Sequence, residues 1–160
     1  MDLHLDKNVI GNIAERIVMN ELEARGYRTT DLNKGGLSAN ADIIASKKGK
    51  TWQLQVKGAH NGEKVRWWIG YGHCTQSIIE GKAPVFNRKT SFYTATYVAL
   101  VAVKSPSEYR CFLLPSREAE KVAQINLSRY YRKPKSDGGA RLPSKMYVYV
   151  DESPRERGND

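Results

Sequence analysis

The stretch Thr51-Trp-Gln-Leu-Gln-Val-Lys-Gly58 carries the alternation from which the fold can be worked out. Apolar residues occupy every second position, namely Trp52, Leu54 and Val56. The residues between them are polar, namely Gln53, Gln55 and Lys57. Because successive side chains of a strand point to opposite faces, the pattern predicts a strand with one buried and one polar face. Taken alone, that polar face is either wetted by solvent or half of a site.

The residues before this stretch predict a β-hairpin. Residues 41–45 are predicted to form a strand, and Lys47-Lys-Gly-Lys50 is typical of a hairpin turn. The returning strand would bring Gln55 and Lys57 beside Asp42. We therefore expect a carboxylate, an amide oxygen and an ammonium group to converge.

The rest of the chain predicts a mixed α/β domain with a central sheet. An apolar stripe at helical spacing predicts a helix over residues 8–25, and Gly26 is its expected C-cap. The other predicted elements are strands at 27–30, 98–103, 109–114 and 146–150 and a helix at 117–131. We expect a single domain over residues 1–152 and a flexible tail over 153–160.

Composition favours a polyanionic partner. The 160 residues include 26 Lys and Arg against 17 Asp and Glu, a formal charge of +9. No basic amphipathic helix stands out, so nucleic acid is expected before a membrane surface. The two cysteines form neither a disulfide framework nor a zinc pattern. With no signal-peptide pattern and no long apolar run, a cytoplasmic location is expected.

The expected cluster suits magnesium chemistry on phosphodiesters. Mg²⁺ prefers oxygen ligands and needs only one or two carboxylates from the protein. Asp42 would bind it directly and the side-chain carbonyl of Gln55 would be a neutral ligand. Lys57 would orient the nucleophile or offset charge in the transition state.

Four short segments resemble the PD-(D/E)xK nuclease superfamily. They are Gly11-Asn-Ile-Ala-Glu15, Arg25-Gly-Tyr27, Ala41-Asp42 and Gln55-Val-Lys57. The resemblance covers roughly the first sixty residues and implies a restriction-endonuclease-like mixed central sheet flanked by helices. The pattern is most similar to that of the small intron-encoded homing endonucleases, in which Gln-x-Lys forms occur.

Two positions depart from the superfamily pattern. Ala41 stands where a proline usually precedes the aspartate, and Gln55 stands in place of the usual Glu or Asp. The second departure leaves fewer anionic metal ligands, so weaker metal affinity is expected.

The resemblance implies a Mg²⁺-dependent DNA endonuclease, with Mn²⁺ as a substitute metal. Glu15, Asp42 and Gln55 would form the metal site, and Lys57 would be the catalytic cation. The resemblance selects Glu15 over Glu21, which has a simpler explanation as an i,i+4 partner of Arg25.

DNA, expected to be double-stranded, would be contacted by basic and aromatic residues outside the site. The candidates are Lys34, Lys64, Arg66, Trp67, Arg129, Arg132, Lys133 and Lys135. For residues 64–68 an ordinary strand with one buried tryptophan is an equal alternative. Residues 59–94 are predicted to be a specificity insert.

Cutting both strands of a duplex with so small a chain suggests a homo-oligomer, either a dimer or a tetramer. Two rival functions remain open from the residues alone. One is a catalytically inactive, basic nucleic-acid-binding module with a nuclease-like fold, and the other is an RNA-binding protein of general type.

Overall fold

The computed structural model describes residues 6–33, 41–61, 64–74, 86–89, 95–132 and 144–151. Its helices and strands, in chain order, are α1 (Lys7–Ala24), β1 (Arg28–Asp31), β2 (Ile43–Lys47), β3 (Lys50–His60), β4 (Lys64–Cys74), β5 (Phe86–Lys89), β6 (Tyr97–Ser105), β7 (Glu108–Pro115), α2 (Ser116–Arg132) and β8 (Ser144–Asp151). Both predicted helices are present, and every predicted strand has a counterpart displaced by a few residues at its ends. Neither helix is long and apolar enough, in the described part of the chain, to cross a membrane.

The β2–β3 hairpin forms as predicted. Its two central residues, Lys48 and Gly49, have φ of 49° and 75°. Positive φ at both central positions is what a two-residue type I′ turn requires, and its twist matches the flanking strands. The turn sets the register, in which Ile43 pairs with Leu54.

Helix α1 is closed at both ends by local chemistry. The side chain of Asp6 accepts a hydrogen bond of 2.9 Å from the backbone N–H of Asn8, which satisfies one free donor of the first turn. Gly26 follows the last turn with φ of +78°, the left-handed conformation that glycine adopts most easily. The C-cap itself is Arg25, so the predicted glycine ends the helix from one position beyond the expected one.

The central sheet is mixed. Its five strands lie in the order β1-β2-β3-β6-β7, and β3 and β6 run parallel while the other neighbours are antiparallel. A second sheet of three strands has the order β5-β4-β8. The predicted α/β architecture with a mixed central sheet and flanking helices is thus observed.

Strand β6 separates two cores. One face of it, with Ala99, Val101 and Val103, packs with β2, β3 and α1. The other face, with residues such as Val98 and Leu100, packs with β4, β8 and α2. An unbroken apolar run is expected for a strand covered on both sides, and this explains why residues 98–103 contain no polar residue.

Strand β4, within residues 59–94, contributes to the core. Its residues Val65, Trp67 and Ile69 are all buried. Trp67 is only 1% exposed and donates its indole N–H to the carbonyl of Val101 at 3.0 Å. Its prediction as a DNA-contacting residue is therefore wrong, since both its ring and its donor are committed to the core.

Candidate active site

Asp42 immediately precedes β2 and is anchored to β3 by backbone and side chain. Its N–H donates to the carbonyl of Leu54 at 2.8 Å, which continues the hairpin ladder by one step. Its Oδ2 atom accepts the backbone N–H of Val56 at 2.7 Å. That bond satisfies a strand donor just beyond the residues paired with β2.

The side chain of Gln55 is the second hydrogen-bond donor to the same carboxylate oxygen. Its Nε2 donates to Asp42 Oδ2 at 2.6 Å, in a partly buried position. Because the amide nitrogen is used there, the carbonyl oxygen Oε1 is the atom that Gln55 can offer to a metal. The two bonds to Oδ2 also set the orientation of the carboxylate and direct Oδ1 toward Asn33.

Glu15 reaches this cluster from helix α1. Its Oε1 atom accepts the side-chain N–H of Asn33 at 3.0 Å. The same nitrogen lies 3.3 Å from Asp42 Oδ1, so one amide group links the two carboxylates. Helix α1 covers the face of the sheet that bears Leu54 and Val56, whereas Gln55 points to the other face. Asp42 therefore lies where Glu15, from the helix, and Gln55, from the opposite face of the sheet, come together.

Asn33 is held in place by the turn that follows β1. Its backbone N–H donates to the carboxylate of Asp31 at 3.0 Å, a local side-chain bond typical of turns. The preceding residue, Leu32, is buried and donates its N–H to the carbonyl of Asp42 at 2.9 Å. Sequence reasoning missed Asn33, because an asparagine in a polar turn carries no signal that distinguishes it.

Lys57 lies on β3 two residues beyond Gln55. The alternation along the strand puts both side chains on one face, and both are half-buried. The backbone of Lys57 pairs with Leu100 in the parallel neighbour β6, which anchors this part of the strand. Of the predicted site residues, the structure thus brings Glu15, Asp42 and Gln55 into one bonded cluster and places Lys57 beside it on the same strand.

The donor set fits a hard divalent cation with few anionic ligands. The cluster offers two carboxylates and one amide carbonyl, all oxygen donors of the type that Mg²⁺ prefers. Among the described residues no three His, Cys, Asp or Glu side chains come together as a metal site. A Cys- or His-rich zinc centre is therefore absent from this part of the chain, and the fit rests on carboxylate and amide oxygens.

Glu21 occupies the structural role predicted for it. It forms an i,i+4 ion pair with Arg25 and accepts a hydrogen bond of 2.8 Å from the hydroxyl of Tyr109. The hydrogen bond from Arg25, followed by that from Tyr109, lowers the pKa of the Glu21 carboxyl. This carboxylate ties α1 to β7 and lies outside the Asp42 cluster.

The predicted DNA-contacting residues are scattered over the second sheet, α2 and segments outside the description. Arg66 is exposed on β4, where it pairs with Tyr149 of β8. Lys64 is the first residue of β4, and Arg129 and Arg132 lie in the last turns of α2. Lys34, Lys133 and Lys135 lie outside the described residues.

Comparison with known proteins finds a similar fold among the solved structures. The chain is similar to the structure of a bacterial homing endonuclease, I-Ssp6803I, with a TM-score of 0.50 and 12% sequence identity. The similarity covers 95% of this chain and 80% of that one. No protein-family model matches the sequence, and no curated protein matches it. At this identity the likeness concerns the fold, and it confirms the predicted nuclease-like architecture.

Proposed function

We propose that this protein is a metal-dependent DNA endonuclease that hydrolyses phosphodiester bonds. The observation that carries the proposal is the hydrogen-bonded cluster of Glu15, Asp42 and Gln55, in which Asn33 links the two carboxylates. Lys57 lies beside this cluster, on the same strand face as Gln55. The fold shared with a bacterial homing endonuclease supports the same reaction class. The PD-(D/E)xK assignment belongs to this proposal, with Gln55 in the position of an acid.

Asp42 and Glu15 would hold the cation through their carboxylates, and Gln55 through its carbonyl oxygen. A bound Mg²⁺ or Mn²⁺ would supply an activated water at neutral pH and stabilise charge on the phosphate. The protein's part is to orient these oxygens, and the hydrogen bonds of Val56 and Gln55 to Asp42 already do so. Such pre-orientation by surrounding hydrogen bonds is how proteins tune metal sites.

Lys57 is the catalytic cation of the proposal. An ammonium group on the strand face of Gln55 can hold the attacking water by hydrogen bonding. It can also offset the negative charge that develops on the phosphate oxygens. Both roles need a fixed position, and the pairing of β3 with β6 holds the Lys57 backbone in place.

Double-stranded DNA is the proposed substrate, and charge supports it. The formal charge of +9 favours a polyanion at the surface, through contacts that release counterions. One cluster cuts one strand, so duplex cleavage would require a dimer or tetramer of the chain. Segment 59–94, with exposed Arg66, remains the proposed source of sequence specificity.

Plasmid cleavage tests this function directly. Wild-type protein with Mg²⁺ or Mn²⁺ is expected to nick or linearise DNA, and a chelator is expected to stop it. Asp42→Ala and Lys57→Ala should each lower the rate by at least about 100-fold, the usual cost of losing a transition-state contact. Lys104→Ala removes an exposed lysine paired with Glu108 and serves as the charge-matched control. Equal cleavage by wild type and both site variants would reject the proposal.

A catalytically inactive DNA-binding module is the second candidate. It is favoured by one observation, that the amides of Asn33 and Gln55 already donate hydrogen bonds to the two carboxylates. A protein of this kind would bind DNA equally well with Mg²⁺ and with a chelator, and it would cut under neither condition.

A further inference from the structure

The side chain of Asn33 lies between the two carboxylates of the cluster. Its Nδ2 atom is 3.0 Å from Glu15 Oε1 and 3.3 Å from Asp42 Oδ1. An amide nitrogen has two hydrogens, so these two bonds use its full donor capacity. The positive end of a neutral dipole is thus directed at two anionic oxygens at once.

This arrangement relieves a cost that the cluster would otherwise carry. Like charges held side by side repel each other, and a hydrogen-bond donor between them offsets that repulsion. Hydrogen bonds to charged groups are also stronger than those between neutral ones. Asn33 therefore stabilises a pair of carboxylates that the fold brings together.

A cation that took the same two oxygens as ligands would compete with that amide for them. Ligand oxygens lie only about 2.1 Å from Mg²⁺. Glu15 and Asp42 would hold the cation through oxygens to which the amide now donates. The amide would have to withdraw, and its position in an exposed turn leaves it room to do so.

We propose that Asn33 is a positioning residue that acts as a placeholder for the metal. It holds Glu15 and Asp42 together while the site is free of metal and releases both when a divalent cation binds. The inference rests on the proposed function, since it assumes that the cation is bound by these two carboxylates. It assigns a role to a residue that lies outside the motif segments.

The placeholder role predicts whether loss of the Asn33 side chain strengthens or weakens cation binding. Removing the amide destabilises the metal-free site and leaves the metal-bound site unchanged, so Asn33→Ala should bind the cation more tightly. A residue that only supports the ligands would act in the opposite direction, because its loss would disorder the site. Losing these two exposed hydrogen bonds, each at the low end of its usual net value, corresponds to about a fivefold change in affinity.

Titration with Mn²⁺, followed by the paramagnetic resonance signal of the free ion, measures this affinity without relying on cleavage. Asn33→Ala is expected to lower the Kd about fivefold relative to wild type. Asn33→Ser, whose single short hydroxyl donor cannot bridge both carboxylates, is expected to fall between the two and serves if the alanine variant does not fold. Asn20→Ala, at an exposed asparagine of α1, is the control and should leave the Kd unchanged.

Urea unfolding gives an independent second measurement. Asn33→Ala should be less stable than wild type in a chelator and equal to it at saturating Mn²⁺, because tighter binding restores what the amide supplied. An unchanged or higher Kd for both Asn33 variants would overturn the placeholder role and leave the proposed function standing. Failure of the wild type to bind Mn²⁺ would instead overturn the proposed metal dependence and this inference with it.

Discussion

Helix α1 carries three glutamates, and two of them, Glu15 and Glu21, have very different surroundings. Glu21 meets a permanent cation, Arg25, and the hydroxyl of Tyr109. Glu15 shares a neutral amide donor with a second carboxylate, that of Asp42. The first arrangement completes a structural tie between α1 and β7. The second gathers two carboxylates around one donor, which under our proposal a cation would replace.

This comparison shows that the role of a glutamate on α1 cannot be decided from its residue type or from the helix that bears it. Both glutamates lie on one helix and both are half-buried. Their roles follow from the elements opposite them, which are β7 at one end and the β1–β2 connection at the other. Each end can be tested separately, because the contacts of the two glutamates are distinct.

The largest expected difference is in catalysis. Glu15→Gln keeps the size of the side chain and removes its charge, so DNA cleavage should fall about 100-fold. Glu21→Gln makes the same chemical change at the other end and should keep the rate within about twofold, as surface changes away from a site usually do. Initial rates of plasmid cleavage at saturating Mg²⁺ check both. A larger loss from Glu21→Gln would mean that the wrong glutamate has been assigned.

The second-largest expected effect is a loss of folding stability when Gly58 is replaced by alanine. A Cβ added there would lie 2.9 Å from the backbone oxygen of Ile10 and 3.0 Å from Ala14 Cβ. Gly58→Ala would push α1 away from β3 at the end that bears Glu15. We expect a loss of about 2 kcal/mol in the free energy of unfolding, the usual cost of overpacking.

Urea denaturation measures that loss, and Gly11→Ala is the matched control. A Cβ at Gly11 would have no atom within 4 Å, and the position is inside α1. Alanine there should raise stability by up to about 1 kcal/mol, because glycine is a poor helix former. If both variants were equally stable, the close approach of β3 to α1 would be contradicted.

The smallest expected effect is on the pH dependence of folding stability, and it involves Glu21 alone. The pKa of Glu21 is lowered first by its hydrogen bond from Arg25 and then by that from Tyr109. The unfolded chain therefore binds the proton more readily, so this carboxylate contributes stability above its unfolded pKa, about 4.3. That contribution is lost as the pH falls through the lower folded pKa.

Thermal unfolding of wild type and Glu21→Gln between neutral and acidic pH checks this expectation. The difference in Tm between the two proteins should narrow as the pH falls, since the wild-type carboxylate becomes protonated. A difference independent of pH would show that the ion pair with Arg25 contributes nothing through its charge.

The hairpin and its partner strands could be predicted from local patterns. The alternation of Trp52, Leu54 and Val56, together with the glycine turn, defined β3 and its pairing with β2. The apolar run at 98–103 marked a strand buried on both faces. Such signals are local, because side-chain period and turn chemistry act over a few residues.

The segment after β3 could not be predicted in the same way. Strand β4 has one buried tryptophan and one that is 43% exposed, Trp67 and Trp68. Which of them faces the core depends on the sheet and helix packed against β4, and a pair of adjacent tryptophans contains no record of that choice. The prediction of Trp67 as a DNA contact failed for this reason.

By itself the sequence determined the order of elements outside residues 59–94, the polar face of β3 and the expectation that Asp42 would meet Gln55, since a hairpin register follows from its turn. Only the tertiary structure decided that Glu15 joins them and that Asn33 links the two carboxylates. Those contacts connect residues 18 and 9 positions apart, in a helix, a turn and a strand start. Contacts between separate elements depend on how layers pack, which no local periodicity records.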